Sequence, residues 1–299
     1  MFKRLLASIR PHRQTGTSRF RQSEDSGHEQ IGKLLDEQNR LLNRDSILAA
    51  PNRQGLRHET GTLLEHAFID LAAALQPTLS VEIGAHEASF SERLKAKCPA
   101  LHAIAFEASP PVFELHAARL RLPPIEVDYR HLAISDADGS AELRVPMGRD
   151  GAPLNAGISS LLHRANFRHG YETARVPALT LDSALAGFDT ARAVAWIDVE
   201  GAQHKVIAGG HKFFARVCAV YIEVERVRVW EEQRTDRELT EILAGFSLLP
   251  IMRDELAGSQ FNQVYVRADR DVIDAALPVA SRYVAALEGM IRTAEIHTP

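Results

Sequence analysis

Cysteine is scarce in this chain of 299 residues, which contains only Cys98 and Cys218. The two residues lie far apart and match neither a CxxC pair nor a zinc-ligand spacing. We therefore predict no disulfide framework and no metal site. Both thiols are expected to be reduced, as in a cytoplasmic protein.

Long apolar stretches and a strong charge of one sign are also absent. Because no run of about 18 apolar residues occurs, we expect no transmembrane segment. The formal net charge of −4 gives no reason to expect a nucleic-acid partner. With 45% hydrophobic and 25% charged residues, the chain can bury a large core without disulfides or structural metals.

The first 28 residues are polar and basic, with no acid before Glu24. Such a composition cannot bury a core, so we predict a disordered basic arm over residues 1–28 that the main domain does not need. A secretory signal is not expected, because the long apolar stretch and the small-residue cleavage site are missing. A short apolar face at Leu5, Leu6 and Ile9 leaves open a weak contact with a membrane surface or a partner.

Helical periodicity follows and predicts an extension over residues 29–76. Leucines recur in it at the seven-residue spacing of a coiled coil, but Gln38 and Asp45 occupy the other seam positions. We therefore expect a helix packed on the main domain rather than a zipper. A second helix over residues 62–75 is expected to end before Pro77.

Short apolar runs separated by helical segments predict the main domain over residues 77–268. Strands that lack polar alternation and are spaced by helices are typical of a parallel sheet covered on both faces. We therefore predict a doubly wound α/β fold. Its strands are predicted at residues 80–83, 103–106, 125–129, 194–197 and 217–224, and its helices at 89–97, 111–120 and 202–214.

Smaller elements complete the prediction. Asp182 is expected to cap a short helix over residues 183–185. A tail over residues 269–299 is expected to be helical. The other predicted elements are a strand at 141–145, a loop over 148–171, a helix at 236–244 and an antiparallel pair at 247–251 and 262–266.

The first candidate site lies at the end of the first strand, where Glu82 and Gly84 precede a helix. Glycine lets the backbone approach a ligand, and the carboxylate could bind the amino acid end of S-adenosylmethionine. A dinucleotide site would need G-x-G-x-x-G to seat pyrophosphate. Because His86 and Glu87 stand there instead and the acid would repel phosphate, the loop favours a cofactor without phosphates.

A second acid, Glu107, follows the next strand about 25 residues later, where it could bind both hydroxyls of a ribose. The alternative is a solvated glutamate beside the helix-capping segment Ser109-Pro110-Pro111. Acids at two successive strand ends favour the nucleoside cofactor.

A third segment, Asp198-Val199-Glu200-Gly201, runs from the fourth strand into a helix. Both carboxylates are expected at the carboxyl edge of the sheet, where ligands bind in open α/β folds. If the strand continues that far, the two side chains alternate. One would then face the ligand while the other caps the helix.

Together these segments resemble the FkbM family of O-methyltransferases, and the resemblance covers about residues 79–266. The segments that carry it are Glu82-Ile83-Gly84-Ala85-His86, Phe106-Glu107-Ala108-Ser109-Pro110, Ala133-Ile134-Ser135-Asp136-Ala137-Asp138-Gly139, Ile158-Ser159-Ser160-Leu161, Leu179-Thr180-Leu181-Asp182, Trp196-Ile197-Asp198-Val199-Glu200-Gly201-Ala202-Gln203 and Ile222-Glu223. The chain departs from the family at four positions, where His86 replaces asparagine, Ala88 glycine, Trp196 lysine and Gln203 glutamate.

The resemblance implies a class I methyltransferase fold, which is a Rossmann-like, mostly parallel sheet of seven strands, here with an N-terminal helical extension. It also implies S-adenosylmethionine as cofactor and a small-molecule or saccharide acceptor that is methylated on a hydroxyl group. The implied cofactor-binding residues are Glu82, Gly84, Ala85, His86, Glu107, Ala108, Leu132 and Ala133.

Methylation of an alcohol needs a base for the hydroxyl proton. We expect Asp198 to be this base, with His204 and Glu223 as further candidates. The loop residues His163, Asn166 and His169 are candidate acceptor contacts. Two other functions stay open, namely a nicotinamide-dependent enzyme on the same sheet and a catalytically inactive methyltransferase domain that serves as an interaction module.

Overall fold

A seven-stranded, mostly parallel sheet organises the computed structural model of the chain, which describes residues 18–43, 53–150, 152, 156–254 and 258–296. Its strands are β1 (Leu79–Ile83), β2 (His102–Glu107), β3 (Asp128–His131), β7 (Ala193–Ile197), β8 (Ala219–Glu225), β9 (Leu248–Arg253) and β10 (Gln260–Arg267). They lie in the order β3-β2-β1-β7-β8-β10-β9. Because β1 pairs in parallel with β2 on one side and with β7 on the other, the strand order reverses there, at the point where open α/β sheets bind ligands.

The doubly wound α/β fold predicted from the sequence is confirmed by this strand order. β1 is buried along its whole length and β7 at all but one position, as expected for strands covered on both faces. The predicted antiparallel closing pair is present as β9 and β10.

Three strands form a second sheet, which the sequence analysis predicted only in part. They are β4 (Ala133–Ser135), β5 (Gly139–Pro146) and β6 (Tyr171–Thr180), in the order β4-β6-β5. β5 contains the strand predicted at residues 141–145, whereas β4 and β6 were missed. The predicted loop over residues 148–171 contains a 3-10 turn at Ala156–Ile158 and ends where β6 begins.

The described helices mostly follow the prediction, and none of them is long and apolar enough to cross a lipid bilayer. They are α1 (Ser18–Leu42), α2 (Arg53–Ala74), α3 (Ser89–Lys97), α4 (Pro110–Leu120), α5 (Leu181–Ala184), α6 (Gln203–Ala208), α7 (His211–Phe214), α8 (Asp236–Ala244) and α9 (Arg270–Ile296). Residues 18–28, which were expected to be disordered, belong to α1, and this helix packs against α9. Residues 1–17 of the predicted arm lie outside the described residues.

Two predicted boundaries shift for local reasons. The helix expected over residues 202–214 is divided into α6 and α7 near Gly209, where a Cβ atom would lie 2.0 Å from the carbonyl oxygen of Ser135. The strand expected at residues 125–129 begins only at Asp128, because the Val127 amide still donates to the end of α4.

Asp182 does not cap α5, contrary to the prediction. The N-cap is Thr180, whose hydroxyl accepts the Ser183 amide. The Asp182 carboxylate instead accepts the amides of Lys212 and Phe213, at 2.9 and 3.1 Å, and so anchors the first turn of α7.

The chain divides into two compact units, one of residues 76–239 and one of the described parts of 1–75 and 240–296. In the second unit, α1 and α2 pack against α9, and α1 also packs on β9. Gln38, which breaks the heptad pattern, is fully buried there. Its side chain donates to the Ile251 carbonyl at 2.9 Å and accepts the Arg253 amide at 3.0 Å, so α1 pairs with strand β9 at the edge of the sheet.

Candidate active site

A cavity of about 260 Å³ lies within the unit of residues 76–239, where β1, β2 and β7 end. Its described wall combines acids, serines and apolar side chains and contains neither lysine nor arginine. The lining residues are Ile83, Gly84, His86, Phe106, Glu107, Ala108, Leu132, Ala133, Ile134, Leu143, Gly157, Ser159, Ser160, Leu161, Asp198, Val199, Glu200 and Ala202. The three segments singled out in the sequence therefore meet at one cavity.

Gly84 allows the backbone that follows β1 to lie very close to the backbone that follows β7. Its φ of +74° lies in the left-handed region, and a Cβ atom there would be 1.7 Å from the carbonyl oxygen of Asp198. The Asp198 amide in turn donates to the Ile83 carbonyl at 2.9 Å. Only glycine fits this close approach, which places Asp198 at the cavity wall.

Glu107 holds the backbone on two sides of the cavity. One carboxylate oxygen accepts the His86 amide at 2.8 Å, and the other accepts the Ser109 amide at 2.6 Å. The side chain is 7% exposed, so the alternative of a solvated glutamate was wrong. Burial raises the pKa of Glu107, and the donated amides partly offset this. Because the carboxylate lines the cavity, its remaining lone pairs can accept hydrogen bonds from a ligand.

Glu82 does not line the cavity, although the sequence analysis made it a cofactor contact. Its buried carboxylate accepts the amides of Phe90 and Ser91, at 3.4 and 2.8 Å, in the first turn of α3. Burial raises the pKa of Glu82 to about 7. Ala85 packs in a hydrophobic cluster with Tyr129 and is not a lining residue either. The other implied cofactor residues, Gly84, His86, Glu107, Ala108, Leu132 and Ala133, all line the cavity.

Carboxyl groups gather at the ends of β7 and β8. The carboxylate oxygens of Asp198, Glu200 and Glu223 lie within 4.8 Å of one another, a spacing that would also suit a divalent cation. The condition for alternation of Asp198 and Glu200 is not met, because β7 ends at Ile197 and Glu200 has a φ of +44°. No side chain caps α6, so Glu200 does not have that role either.

Burial governs protonation in this acidic cluster. Asp198 is exposed at the cavity, yet desolvation by the surrounding protein raises its pKa, and the hydrogen bond with Glu223 opposes this rise. Burial and the charge of Asp198 raise the pKa of Glu200 and of the neighbouring Glu225 to about 7. At neutral pH the cluster therefore shares protons, and one carboxylate can accept a proton from a ligand.

The segment Ser159-Ser160-Leu161 lines the cavity, although the sequence analysis assigned no role to it. Ser160 is 1% exposed, and its hydroxyl donates to the Glu200 carbonyl at 2.6 Å, which fixes the turn that carries this acid. The only sequence signal for it was the family-like Ser159-Ser160-Leu161 pattern. Besides Glu82 and Ala85, five residues expected at the site are not among the described lining residues, namely His204, Glu223, His163, Asn166 and His169, although the Glu223 carboxylate belongs to the acidic cluster.

Two departures from the family pattern have packing reasons. Gln203 donates through Nε2 to the Glu223 carbonyl at 3.0 Å, which an ionised glutamate could not do. Trp196 stacks on Tyr221 with ring centroids 3.6 Å apart. Both replacements therefore join β8 to its neighbours beside the acidic cluster.

Comparisons with known proteins identify sequence relatives of the chain. The family model described as "Methyltransferase FkbM domain" matches residues 82–258, which is more than half of the chain. The 2-O-methyltransferase NoeI of Sinorhizobium fredii (strain NBRC 101917 / NGR234) is 27% identical over 208 residues, which cover 66% of this chain and 83% of that protein.

Two solved structures are similar at low identity. Methyltransferase FkbM from Methylobacillus flagellatus KT has a TM-score of 0.42 and 12% identity, and the match covers 64% of this chain but only 44% of that one. Magnesium protoporphyrin IX methyltransferase (ChlM) from Synechocystis PCC 6803 has a TM-score of 0.39 and 8% identity, over 72% of this chain and 79% of that one. The fold assignment rests on the strand order, and the match of the family model shows that the chain belongs to the FkbM methyltransferase family.

Proposed function

We propose that the protein is an S-adenosylmethionine-dependent O-methyltransferase that acts on a hydroxyl group of a saccharide or related natural product. The observation that carries the proposal is one cavity that joins a nucleoside-type wall, around Glu107, to an acidic cluster at Asp198. The similarity to a 2-O-methyltransferase supports a hydroxyl acceptor.

The cavity wall suits a nucleoside that carries no phosphates. Leu132 and Ala133 would cover the adenine, and Glu107 would accept hydrogen bonds from the ribose hydroxyls. The carboxylates of Glu107, Asp198 and Glu200 would attract a sulfonium and repel a pyrophosphate, since the described lining residues include no lysine or arginine to offset them. This electrostatic pattern disfavours a nicotinamide dinucleotide.

The acidic cluster provides the groups that methylation of an alcohol requires. When bound, S-adenosylmethionine would supply an electrophilic methyl group. Asp198 would hold the acceptor hydroxyl and take up its proton, and Glu223 would orient the Asp198 carboxylate through their hydrogen bond. The raised pKa values of the cluster favour this proton uptake near neutral pH.

A catalytically inactive binding domain is the second candidate, and the backbone at Ala88 favours it. This residue has a φ of +58° at the N-cap of α3, where the family has glycine. An L-residue in that conformation strains the loop that lines the cavity through His86. Such a protein would bind the cofactor without turnover.

Calorimetry and a methyl-transfer assay on hydroxylated saccharides test the proposal. S-adenosylmethionine should bind at a single site, and Glu107→Ala should weaken binding by about 1.5–3 kcal/mol, as for a lost charged hydrogen bond. Glu114→Ala, at an exposed acid of α4, should leave binding unchanged. No binding of S-adenosylmethionine or of its demethylated product would contradict the proposal, whereas binding without any turnover would favour the inactive domain.

A further inference from the structure

Three side chains of types that can ligate a metal ion lie close together at the rim of the cavity. The proposed reaction uses none of them. One ligand atom each from His86, Glu87 and His116 lies within 4.8 Å of the others. The two imidazole rings are 5.7 Å apart between centroids. Nε2 of His116 is buried and has no hydrogen-bond partner in the structure, which is costly for a polar atom unless a ligand satisfies it.

The loop that carries two of these residues is held in place through its backbone. The His86 amide donates to the Glu107 carboxylate at 2.8 Å, and the His86 carbonyl accepts a hydrogen bond from the Tyr129 hydroxyl. Because these contacts use the backbone alone, the His86 imidazole stays exposed at the rim, next to the exposed Glu87.

Helix α4 is tied to the same loop. Arg119 donates to the Glu87 carbonyl at 3.0 Å and to the Glu92 carboxylate at 2.6 Å. His116 precedes Arg119 by three residues and therefore lies on the same helix face. The helix and the loop are thus already positioned for a shared ligand.

We propose that His86, Glu87 and His116 bind a divalent transition-metal ion such as Zn²⁺. Two imidazoles and one carboxylate are a ligand set that zinc accepts, whereas Ca²⁺ and Mg²⁺ prefer oxygen ligands alone. The ion would link the loop that lines the cavity to α4, and it would satisfy the buried nitrogen of His116. His86 stands where the family pattern has asparagine, so that pattern does not itself supply this ligand.

Titration of the metal-free, full-length protein with Zn²⁺ alone tests this site, together with the visible absorption of Co²⁺ as a report of coordination. We expect one tight site per chain. His116→Gln and His86→Gln should each weaken it at least about 10–100-fold, the cost known for second-shell partners of metal ligands, and should remove the Co²⁺ absorption. His58→Gln, at an exposed histidine of α2, is the matched control and should change neither signal.

Thermal melts of the metal-free variants show whether each has folded. If His116→Gln does not fold, the exposed His86→Gln and Glu87→Gln decide the question. Absence of a saturable site, or equal Zn²⁺ affinity in the wild type and the folded variants, would overturn the proposal.

Discussion

Asp198 directly follows β7. Its side chain lines the cavity and forms a hydrogen bond with the side chain of Glu223. If Asp198 takes the acceptor proton, Asp198→Asn should reduce turnover by roughly 10²–10⁴, the usual contribution of a general base. The fold should persist because asparagine removes a charge at an exposed position without changing the side-chain volume much. Turnover and melting temperature measured on the same variant test this.

Asp271→Asn, at an exposed acid of α9, is the control for this substitution. It should leave turnover and melting temperature unchanged. Near-normal turnover of Asp198→Asn would remove the base assignment and leave Glu223 as the candidate within the cluster. Neither Glu223 nor His204 is a described lining residue, but the Glu223 carboxylate lies within 4.8 Å of Asp198 and Glu200, whereas His204 is not part of that cluster.

The acids show how far the sequence alone could predict the site. Apolar runs followed by acids identified the sheet edge, and Glu107 and Asp198 do lie at the cavity. Glu82 was predicted to contact the cofactor, but it does not line the cavity. This residue lies inside β1, one residue before its end, and its carboxylate accepts the Ser91 amide of α3. The predicted end of this strand at residue 83 agrees with the structure, but a strand end does not show on which face of the sheet the preceding side chain lies.

At the scale of the elements, the Glu82 carboxylate links β1 to the first turn of α3 rather than contacting a ligand. Because burial raises the Glu82 pKa from 4.5 to about 7, the folded state holds its proton more tightly than the unfolded state. The stability that this provides is present below pH 4.5 and is lost as the pH rises to about 7. Glu82→Gln keeps an acceptor for the Ser91 amide and cannot ionise.

Relative to the wild type, Glu82→Gln should therefore gain roughly 1–3 kcal/mol of unfolding free energy between these pH values. S-adenosylmethionine affinity should not change. Urea titrations across this pH range measure the effect, with Glu114→Gln as a neutralised exposed acid. A loss of cofactor affinity with an unaltered pH dependence would instead support the cofactor contact predicted from the sequence.

Helix α1 provides a second test at this scale. The Gln38 side chain pairs with the backbone of β9, so Gln38→Ala would leave a buried carbonyl at Ile251 and a partly buried amide at Arg253 unpaired. We expect a loss of about 2–4 kcal/mol in urea unfolding, since each unpaired group costs about 1–3 kcal/mol. Asp36→Ala, on the exposed side of α1, should cost far less. Equal costs for the two variants would show that the pairing is unimportant.

Elements with strong periodicity were predicted well, and those without it were missed. The predicted limits of helix α8 agree with the structure, and the closing pair of strands is present. β4 has only three residues, and none of the first five residues of β6 is buried. A strand that is short or largely exposed has no repeated apolar pattern, so neither could be recognised.

At the scale of the whole molecule, composition could not predict which distant segments belong to the same compact unit. Residues 240–268 were assigned to the main domain, yet the structure groups β9 and β10 with α1, α2 and α9. This grouping depends on contacts such as those of Gln38, which sequence periodicity marked only as a break in a heptad. Contacts between segments some two hundred residues apart leave no local signal in either segment.

The division into units allows a test of the cofactor by unfolding. Both tryptophans of the chain, Trp196 and Trp230, belong to the unit of residues 76–239, which also contains the cavity. Tryptophan fluorescence therefore reports on that unit, whereas far-ultraviolet circular dichroism reports on the helices of both. A ligand that binds only the folded state should stabilise it by about 2.7 kcal/mol at a concentration of 100 times its Kd.

S-adenosylmethionine should therefore raise the melting temperature seen by tryptophan fluorescence, and a nicotinamide dinucleotide should not, because the acidic wall repels its phosphates. If the two units unfold together, the circular dichroism signal should shift by the same amount. If they unfold separately, only the transition that fluorescence follows should move. An equal shift with the dinucleotide, or no shift with saturating S-adenosylmethionine, would contradict the cofactor assignment, since neither result fits a cavity that selects a phosphate-free nucleoside by charge.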